Sequence, residues 1–488
     1  MIGFDTTSQL SSCHILDKEA LDAIHHATLE VLEKTGVIVE SDEALGILDE
    51  AGCTVDHRRH LALIPPHLVK EALTRKPKRI TLNARKPKND LKLDGSQMFL
   101  CTDGSGTHTI DLETGERRSS IKEDLAMSAK IADHIEAIGV YWPMITSQDM
   151  PAPARVLHDL ETSIANTEKH VMFETTTTPD EARFQIEIAA LAVGGKEELK
   201  RRPIISSCHC TIAPLKHDKG PTEAAIEFSR AGVPVYFLPM PQAGATGPIT
   251  LAGSTVVGNA ESLSGLVIIQ MAAPGAPMLY SSEASNFDMK NLRWCAGSPE
   301  CGLLTAVSSE LARYYEMPST SAGFSTDAKM PGAQACYEKA VTGTLPVFAG
   351  YDIVGGLGLL DACTLFTPEQ LIIDAEIAGM LHQLAQGIEV NEETLAVDLI
   401  HKIGPGGNYL TEKHTLEHMR KEHFIPELAD RHSYEAWKKA GSKTTVEAAR
   451  KKAKEILKEH QPAPLEKDVQ KEMGEIIRKA ERQLIRNT

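Results

Sequence analysis

The sequence predicts an α/β fold, an eightfold β/α (TIM) barrel, over residues 98–390. Eight short runs rich in β-branched and aromatic residues are each followed by a loop rich in Gly, Pro or Ser and then by a segment of helical periodicity. This alternation indicates a parallel sheet, and the count of eight favours a closed barrel over an open doubly wound sheet. We therefore expect the chemistry to lie at the C-terminal ends of the strands.

The eight predicted units follow one another without a break. Their strands cover 98–103, 139–148, 170–175, 203–211, 234–241, 276–283, 318–324 and 345–351. Their helices cover about 120–134, 153–167, 179–193, 220–231, 250–273, 299–316, 333–343 and 368–388. Short glycine-rich stretches between these segments, such as VGGLG at 354–358, are interpreted as turns.

Helical segments flank the predicted barrel. Residues 1–97 form an N-terminal helical extension, in which the periodicity predicts helices over 17–36, 40–52 and 65–75. Residues 391–488 form a C-terminal helical segment. Its tail, from about residue 442, carries dense mixed charge, which is typical of helices that are solvated or that contact another subunit.

Composition excludes several classes of function. The formal net charge is −16, whereas nucleic-acid binding needs clustered Lys and Arg along a groove. The nine Cys are odd in number and have no CxxC spacing, which favours reduced thiols and a cytoplasmic location. Residues 1–16 lack the pattern of a secretory signal, and no run of 18 apolar residues occurs, so we expect no membrane span.

Two short motifs leave a metal site open as an alternative. Cys208 and Cys210 lie on one side of a predicted strand with His209 on the other, and His414 and His418 lie one helical turn apart. Neither motif has a third ligand at a recognisable spacing. A zinc-dependent barrel methyltransferase or hydrolase would contain stoichiometric zinc, and elemental analysis distinguishes it.

Aromatic residues are few, with 3 Trp, 9 Tyr and 11 Phe, and many of them lie in the predicted strands or in the loops after them. Strands attract aromatic side chains for packing alone. Rings gathered at one mouth also suit a quaternary ammonium group, because a cation without N–H donors is held by ring faces and counter-charges.

Several longer phrases carry a family resemblance. These are TDGSG from Thr102, GPITLAGSTVVGNAESLSG from Gly247, STDAKMPGAQACYEK from Ser325 and GPGGNYLTEKHTLEH from Gly404. Together they resemble the trimethylamine methyltransferase superfamily. The resemblance implies a barrel that passes a methyl group from an amine to the cob(I)alamin of a separate corrinoid protein, with no cofactor tightly bound to this chain.

The resemblance also bears on the substrate. Family members that act on trimethylamine carry pyrrolysine in the segment corresponding to residues 328–334, which here reads AKMPGAQ and contains only ordinary residues. Members without pyrrolysine look like demethylases of quaternary amines, among which glycine betaine is the best known. A quaternary nitrogen departs as a neutral amine, so the reaction needs positioning for in-line attack rather than an acid.

We predict that the site residues lie at the strand ends. The catalytic or positioning candidates are Asp103, His209 and Gln334. The substrate-binding candidates are Gln148, Phe173, Phe237, Asp327, Phe348 and Tyr351, with the rings as an ammonium cage and Asp103 or Asp327 as counter-charge. No metal ligands are assigned. The expected partners are a corrinoid protein, a small betaine and further copies of the same chain.

Two further interpretations remain open. The same reaction could act on proline betaine, carnitine or γ-butyrobetaine, which a substrate panel distinguishes. A non-catalytic betaine-binding protein would bind a betaine tightly yet methylate no corrinoid.

Overall fold

A computed structural model describes residues 4–5, 14–173 and 176–484. Its centre is a ring of parallel strands that we number β1 to β8. The regular strands are β1 (Gln97–Thr102), β2 (Ile138–Tyr141), β3 (His170–Phe173), β4 (Ile205–Cys210), β5 (Val235–Leu238), β7 (Thr320–Ala322) and β8 (Ile353–Leu357). The sixth strand, β6, is formed by two isolated parallel bridges, at Met278 and Tyr280. Residues 174 and 175, the end of the third predicted strand, lie outside the described residues.

The ring closes through β6 and β8. Met278 bridges to Val235 of β5, and Tyr280 bridges to Ser319, which directly precedes β7. At the other end of the sheet, β8 pairs in parallel with both β7 and β1. The predicted eightfold barrel is therefore confirmed.

Eighteen helices, numbered in chain order, occur in the described residues. Before the barrel lie α1 (Lys18–Lys34), α2 (Asp42–Glu50) and α3 (Pro66–Arg75). Around the barrel lie α4 (Lys122–His134), α5 (Arg155–Asn166), α6 (Pro179–Val193), α7 (Lys196–Arg201), α8 (Lys219–Arg230), α9 (Leu251–Ala272), α10 (Pro299–Tyr314), α11 (Ala333–Ala349) and α12 (Pro368–Gln386). After it follow α13 (Glu392–Leu395), α14 (Val397–Ile403), α15 (Lys413–Glu422), α16 (Tyr434–Lys439), α17 (Thr445–Glu459) and α18 (Lys467–Leu484). Among all the described residues, no helix is long and apolar enough to cross a membrane.

The eighth strand differs from the prediction. The run predicted as a strand, 345–351, begins inside α11, which continues through Pro346 to Ala349. The strand is instead Ile353–Leu357, which includes the stretch taken for a turn. Gly355 lies between the neighbouring strands, where an added Cβ would sit 3.5 Å from the carbonyl oxygens of both Ser321 and Thr102. Sequence propensity failed here because glycines that let strands approach closely look like a turn.

A short hairpin covers the N-terminal end of the barrel. Its strands, Ile80–Leu82 and Leu91–Leu93, are antiparallel, and their buried side chains join the apolar cluster of the barrel interior. The hairpin is fixed to the strand ends by Asn83, whose carbonyl oxygen lies 2.7 Å from Nδ1 of His170 and whose N–H donates to the Pro203 carbonyl at 3.1 Å.

The last two helices pack on the barrel of their own chain. Helix α17 lies against α12 and α4, and α18 lies against α6. Ile456 of α17 and Met473 and Ile477 of α18 are buried there. The charged tail is thus neither free in solvent nor wholly available to another subunit.

Candidate active site at the barrel mouth

At the C-terminal ends of the strands, the side chains that face the barrel interior form one layer at the mouth. On β1, Phe99 and Cys101 face the interior, and Asp103 follows on the same side because strand side chains alternate. Three further inward positions lie at the ends of β2, β4 and β6: Trp142, Cys210 and Glu283. The mouth is therefore lined by two carboxylates, an indole and a thiol.

The two carboxylates lie close enough to influence each other. Asp103 is buried and accepts hydrogen bonds from the Cys363 thiol at 3.0 Å and from the Gly104 N–H at 2.9 Å. Burial raises the pKa of Asp103. Burial and the charge of Asp103 raise the pKa of Glu283 to about 8, although Glu283 accepts the Ala322 N–H at 2.8 Å. Neither carboxylate has an ion-pair partner among the described residues, so a bound cation would stabilise both in the charged form.

An aromatic wall stands beside the carboxylates. The rings of Trp142 and Tyr236 meet edge to face, with centroids 6.3 Å apart. The indole N–H of Trp142 is buried without a hydrogen-bond acceptor in the described part of the chain, although a buried donor normally has one. Gly104 makes this packing possible, since an added Cβ there would lie within 2.6 Å of three indole atoms. Trp142 is 7% exposed whereas Tyr236 is fully buried, so the indole is the ring of this pair that borders the mouth.

A strained turn holds Cys363 over Asp103. Asp361, Ala362 and Cys363 all have positive φ, at 49°, 50° and 65°. Such values are uncommon for residues other than Gly and persist only where surrounding contacts impose them. Here the Asp361 N–H donates to the Ala328 carbonyl at 2.8 Å and the Ala362 N–H donates to the Thr326 carbonyl at 3.0 Å. The turn is therefore fixed to the loop that follows β7.

A buried ion pair fixes the ends of β7 and β8. Lys339 of α11 donates to Asp374 of α12 at 2.7 Å, and both side chains are fully buried. The same ammonium group donates to the carbonyls of Phe324 at 2.8 Å and Gly356 at 2.9 Å. Because all its donors are used, Lys339 makes no hydrogen bond to the carboxylates of the mouth, although its charge partly offsets the effect of burial on the pKa of Asp103.

Among the nine predicted site residues, Asp103 lies in the mouth. Asp327 lies on the loop after β7, but its carboxylate accepts the N–H groups of Ala296 and Gly297 at 3.2 and 3.0 Å. It therefore orders the start of α10. Gln148 is half-buried and its amide donates to the Thr146 hydroxyl.

Three predicted residues face away from the barrel interior. Phe173 and Phe237 belong to the core between strands and helices, where Phe237 packs on Gly265 of α9. Phe173 also lines a cavity of about 310 Å³ outside the ring, together with Arg155 and Asp159. His209 is fully buried beside Phe228 and Phe237, and burial lowers its pKa to about 3. His209 is thus a neutral side chain of the outer core.

The remaining three lie elsewhere again. Phe348 belongs to helix α11 rather than to a strand end, which corrects its predicted position. Tyr351 precedes β8 and is fully buried in the same outer core. Gln334 is exposed on α11 and donates to Glu338 at 2.8 Å. These positions do not bring the three side chains to the layer that contains Asp103.

Sequence reasoning missed Trp142, Tyr236, Glu283 and Cys363. The alternation of side chains along a strand could have found some of them, because Tyr236 lies at an inward position and Phe237 at an outward one. Glu283 is the last residue of a predicted strand. Alternation alone does not show which set of positions faces inward, because both faces of a barrel strand are buried and apolar. Cys363 reaches the mouth through a turn that no propensity predicts.

Neither metal motif assembles a ligand set. Cys208 faces the barrel interior and His209 the outer core, as their alternation predicted. His414 and His418 stack on α15 with centroids 4.2 Å apart. Across residues 4–5, 14–173 and 176–484, no three His, Cys, Asp or Glu side chains are grouped as metal ligands.

Comparison with known proteins gives a consistent family. The trimethylamine methyltransferase (MTTB) family matches residues 5–484. Trimethylamine methyltransferase MttB of Desulfitobacterium hafniense is 37% identical over 95% of this chain and 93% of its own length. Glycine betaine methyltransferase of D. hafniense strain Y51 is 33% identical over 96% and 97%. The crystal structure of the hydroxylamine MtmB complex covers 90% of this chain and 94% of its own at 12% identity, with a TM-score of 0.48. The chain, an eightfold barrel with an acidic, aromatic mouth, therefore belongs to the trimethylamine methyltransferase family and is a methyltransferase.

Proposed function

We propose that the protein transfers a methyl group from a quaternary amine, glycine betaine, to cob(I)alamin carried by a separate corrinoid protein. The observation that carries this proposal is the pair of carboxylates, Asp103 and Glu283, which face the mouth without an ion-pair partner in the described residues. Two enclosed carboxyl groups without a counter-ion are costly unless the ligand brings the positive charge.

The rest of the mouth suits a trimethylammonium group. A quaternary nitrogen has no N–H donors, so ring faces and diffuse negative charge are what can hold it. In this proposal Trp142 supplies the ring, with the fully buried Tyr236 packed against it, and the unpaired indole N–H of Trp142 donates to the betaine carboxylate. One wall thereby accommodates both ends of a zwitterion.

Methyl transfer from a quaternary amine does not require these residues to act as a general acid or base. The bond between a methyl carbon and nitrogen breaks, its electron pair stays on nitrogen, and dimethylglycine leaves with a neutral amine nitrogen and its carboxylate still charged. The corrinoid supplies the Co(I) nucleophile that accepts the methyl group. The task of this chain is to align the methyl group with the opening and to exclude water. A tertiary amine, by contrast, leaves well only after its lone pair is protonated or otherwise tied up, and residues 328–334 contain no unusual electrophile.

An exposed apolar rim around the opening supports docking of a corrinoid protein. Four exposed apolar side chains lie on loops that follow β5, β6 and β7, namely Ile249, Met289, Leu292 and Met330. Ile249 and Met289 lie side by side next to Gly244. We call these four residues the rim. Exposed apolar clusters around a pocket are typical of docking surfaces.

The test is a substrate panel with excess cob(I)alamin, following methylcobalamin formation by absorbance. Glycine betaine is expected to give the fastest initial rate, and trimethylamine a poor one at equal concentration. Proline betaine, carnitine and γ-butyrobetaine measure how far the pocket tolerates a larger body. Equal or faster turnover of trimethylamine contradicts the assignment to quaternary amines, and tight betaine binding without any methyl transfer contradicts catalysis.

A further inference from the structure

A cavity of about 620 Å³ opens at the N-terminal end of the barrel, away from the mouth. Pro203, Pro234 and Pro277, which lie just before β4, β5 and β6, line it together with Ile80 of the hairpin. The C-terminal ends of α7, α8 and α9 complete the lining. Ligand sites commonly have volumes of about 300–1,000 Å³, so this cavity has room for a small organic molecule.

The lining of this cavity is basic, although the chain has a net charge of −16. It contains four cationic side chains and, among the described residues, neither Asp nor Glu. The four are Arg79, Lys200, Arg201 and Arg230. Arg201 pairs with Glu198 and Arg230 with Glu43, each at 2.8 Å. The other two cations have no ion-pair partner in the described part of the chain, so their charge is left for a ligand.

Helix ends explain only part of this charge. Lys200 and Arg230 lie in the last turns of α7 and α8, where basic side chains interact favourably with the helix carbonyls. Arg79, however, lies between α3 and the hairpin, outside any helix, and lines the same cavity. Cations from separate elements therefore surround one space.

A buried hydroxyl group in the lining also lacks a partner. Ser229 of α8 is 4% exposed, and its Oγ has no hydrogen bond to a described residue. A serine inside a helix commonly donates to the carbonyl four residues earlier, and nearly all buried hydroxyl groups are hydrogen-bonded. A ligand oxygen in the cavity would accept the missing hydrogen bond.

Close packing and hydrogen bonds fix the walls of the cavity. Lys200 lies against Gly232, where an added Cβ would be 2.8 Å from the lysine Cγ, so α7 contacts the turn after α8. Gln270 fixes the turn after α9, because its side-chain amide accepts the Gly275 N–H at 3.0 Å and donates to the Ala276 carbonyl at 2.9 Å. A site with fixed walls loses less entropy when a ligand binds.

We propose that this cavity binds a phosphorylated small molecule with at least two negative charges and an apolar body, of the size of a nucleoside diphosphate. Its phosphate oxygens accept hydrogen bonds from Arg79, Lys200 and Ser229, because cationic donors form strong hydrogen bonds with phosphate. The proline and alanine side chains of the lining cover its body. The site lies at the opposite end of the strands from the mouth, so the proposal does not depend on the identity of the substrate.

The test is titration calorimetry of the full chain with adenosine diphosphate. The wild-type protein is expected to bind it, and more weakly as the salt concentration rises, because the contacts are ionic. Arg79→Ala, Lys200→Ala and Ser229→Ala should each weaken the affinity by about tenfold or more, since each removes a hydrogen bond to a charged group.

Two exposed cations outside the lining provide matched controls. Lys196→Ala changes the same helix as Lys200→Ala, and Arg58→Ala removes an arginine remote in sequence from Arg79. Both controls should keep the wild-type affinity for the nucleotide. The nucleotide should also raise the melting temperature of the wild type and of the controls more than that of the cavity variants.

Absence of binding at millimolar adenosine diphosphate overturns the proposal, as does a wild-type affinity in the cavity variants. Pyrophosphate that binds as tightly as the nucleotide contradicts an organic ligand, since the apolar body would then contribute nothing. An acidic peptide that binds more tightly than the nucleotide assigns the cavity to a protein partner instead. Competition between the nucleotide and glycine betaine would place the nucleotide at the mouth, which equally contradicts a separate site.

Discussion

At the residue scale, the mouth combines two acids whose ionisation depends on the ligand. Burial raises the pKa of both carboxyl groups, and the charge of Asp103 raises the pKa of Glu283 further. A fixed cation reverses the balance because it favours the charged form of both. Substrate binding and proton release are therefore linked at this site.

That linkage predicts a pH-dependent affinity for glycine betaine. Because the pKa of Glu283 is about 8 in the free protein, binding below this pH must expel a proton, and the affinity should weaken by up to about tenfold for each pH unit below it. Above about pH 8 the affinity should level off. Titration calorimetry in two buffers of different ionisation enthalpy measures the released proton. Glu283→Gln should release none, and a wild-type affinity that is flat from pH 6 to 9 would contradict the linkage.

The same shift predicts how stability responds to pH. Folding raises the pKa of Glu283 from 4.5 to about 8, so the folded state holds a proton that the unfolded chain has lost. The contribution of this group to the free energy of unfolding is full below pH 4.5 and is lost as the pH rises towards 8. Glu283→Gln should therefore gain stability relative to the wild type as the pH rises through this range, measured by urea unfolding at fixed pH. An equal difference at pH 5 and pH 8 would be inconsistent with this shift.

Replacement of aromatic side chains tests which rings hold the cation. Trp142→Leu should lower kcat/KM for glycine betaine by roughly twofold to thirtyfold, since one cation–π contact contributes about 0.5–2 kcal/mol. Phe348→Leu is the matched control, because Phe348 lies in α11 away from the mouth, and should turn over betaine as the wild type does. Steady-state rates at saturating cob(I)alamin provide both values. A larger decrease in kcat/KM for the Phe348 variant than for the Trp142 variant would indicate that Phe348 contacts the substrate.

The sequence predicted Asp103 at a strand end, and the structure places it at the mouth, whereas the predicted rings Phe173, Phe237 and Tyr351 lie in the outer core. Phe237 was chosen over Tyr236, one position away, and that step of one residue exchanges the outer core for the interior. Hydrophobicity cannot settle the choice where helices cover the outside and side chains fill the inside.

At the element scale, ion pairs connect the loops that follow the strands. Asp361 in the strained turn contacts Arg293 at 3.4 Å and Lys329 at 3.3 Å, so one carboxylate joins loops that follow β6 and β7. These loops also carry the rim. Strand β8 escaped prediction for a related reason, since its glycines serve close packing rather than chain reversal.

The rim predicts a selective defect in transfer between proteins. Met289→Glu should slow methyl transfer to the corrinoid protein, because a charge would have to be buried on docking. It should leave transfer to free cob(I)alamin near the wild-type rate. Parallel assays with the two acceptors measure the difference, and equal losses with both would place Met289 in the pocket rather than on the docking surface.

At the scale of the whole molecule, two terminal regions complete the barrel. Helices α1, α2 and α3 pack on α9, while α17 and α18 cover α4, α6 and α12. The eight alternating strand and helix segments predicted the barrel, because each segment is recognisable from a short stretch of sequence. The placement of the tail and the exposure of residues 387–444 depend on contacts distant in sequence, which no local pattern encodes.

The tail helices predict a stability effect far from the site. Ile456→Ala should lower the free energy of unfolding by about 2–5 kcal/mol, because it removes a buried side chain between α17 and the barrel. Ile249→Ala, at an exposed position on the rim, should change it by about 0.5 kcal/mol or less. Denaturant titration of both variants makes the comparison. Similar values for the two would mean that α17 contributes little to the fold.

The hairpin beneath the barrel has a consequence for the order of events. Because Leu82, Leu91 and Leu93 fill the N-terminal end, the mouth is the entrance that the described residues leave to the barrel interior. Under the proposed function, the amine and the corrinoid protein share this entrance, so the amine would enter before the corrinoid protein docks and the demethylated product would leave after it departs. This ordered binding predicts that excess corrinoid protein inhibits by competing with the amine. Free cobalamin need not seal the entrance and should not compete.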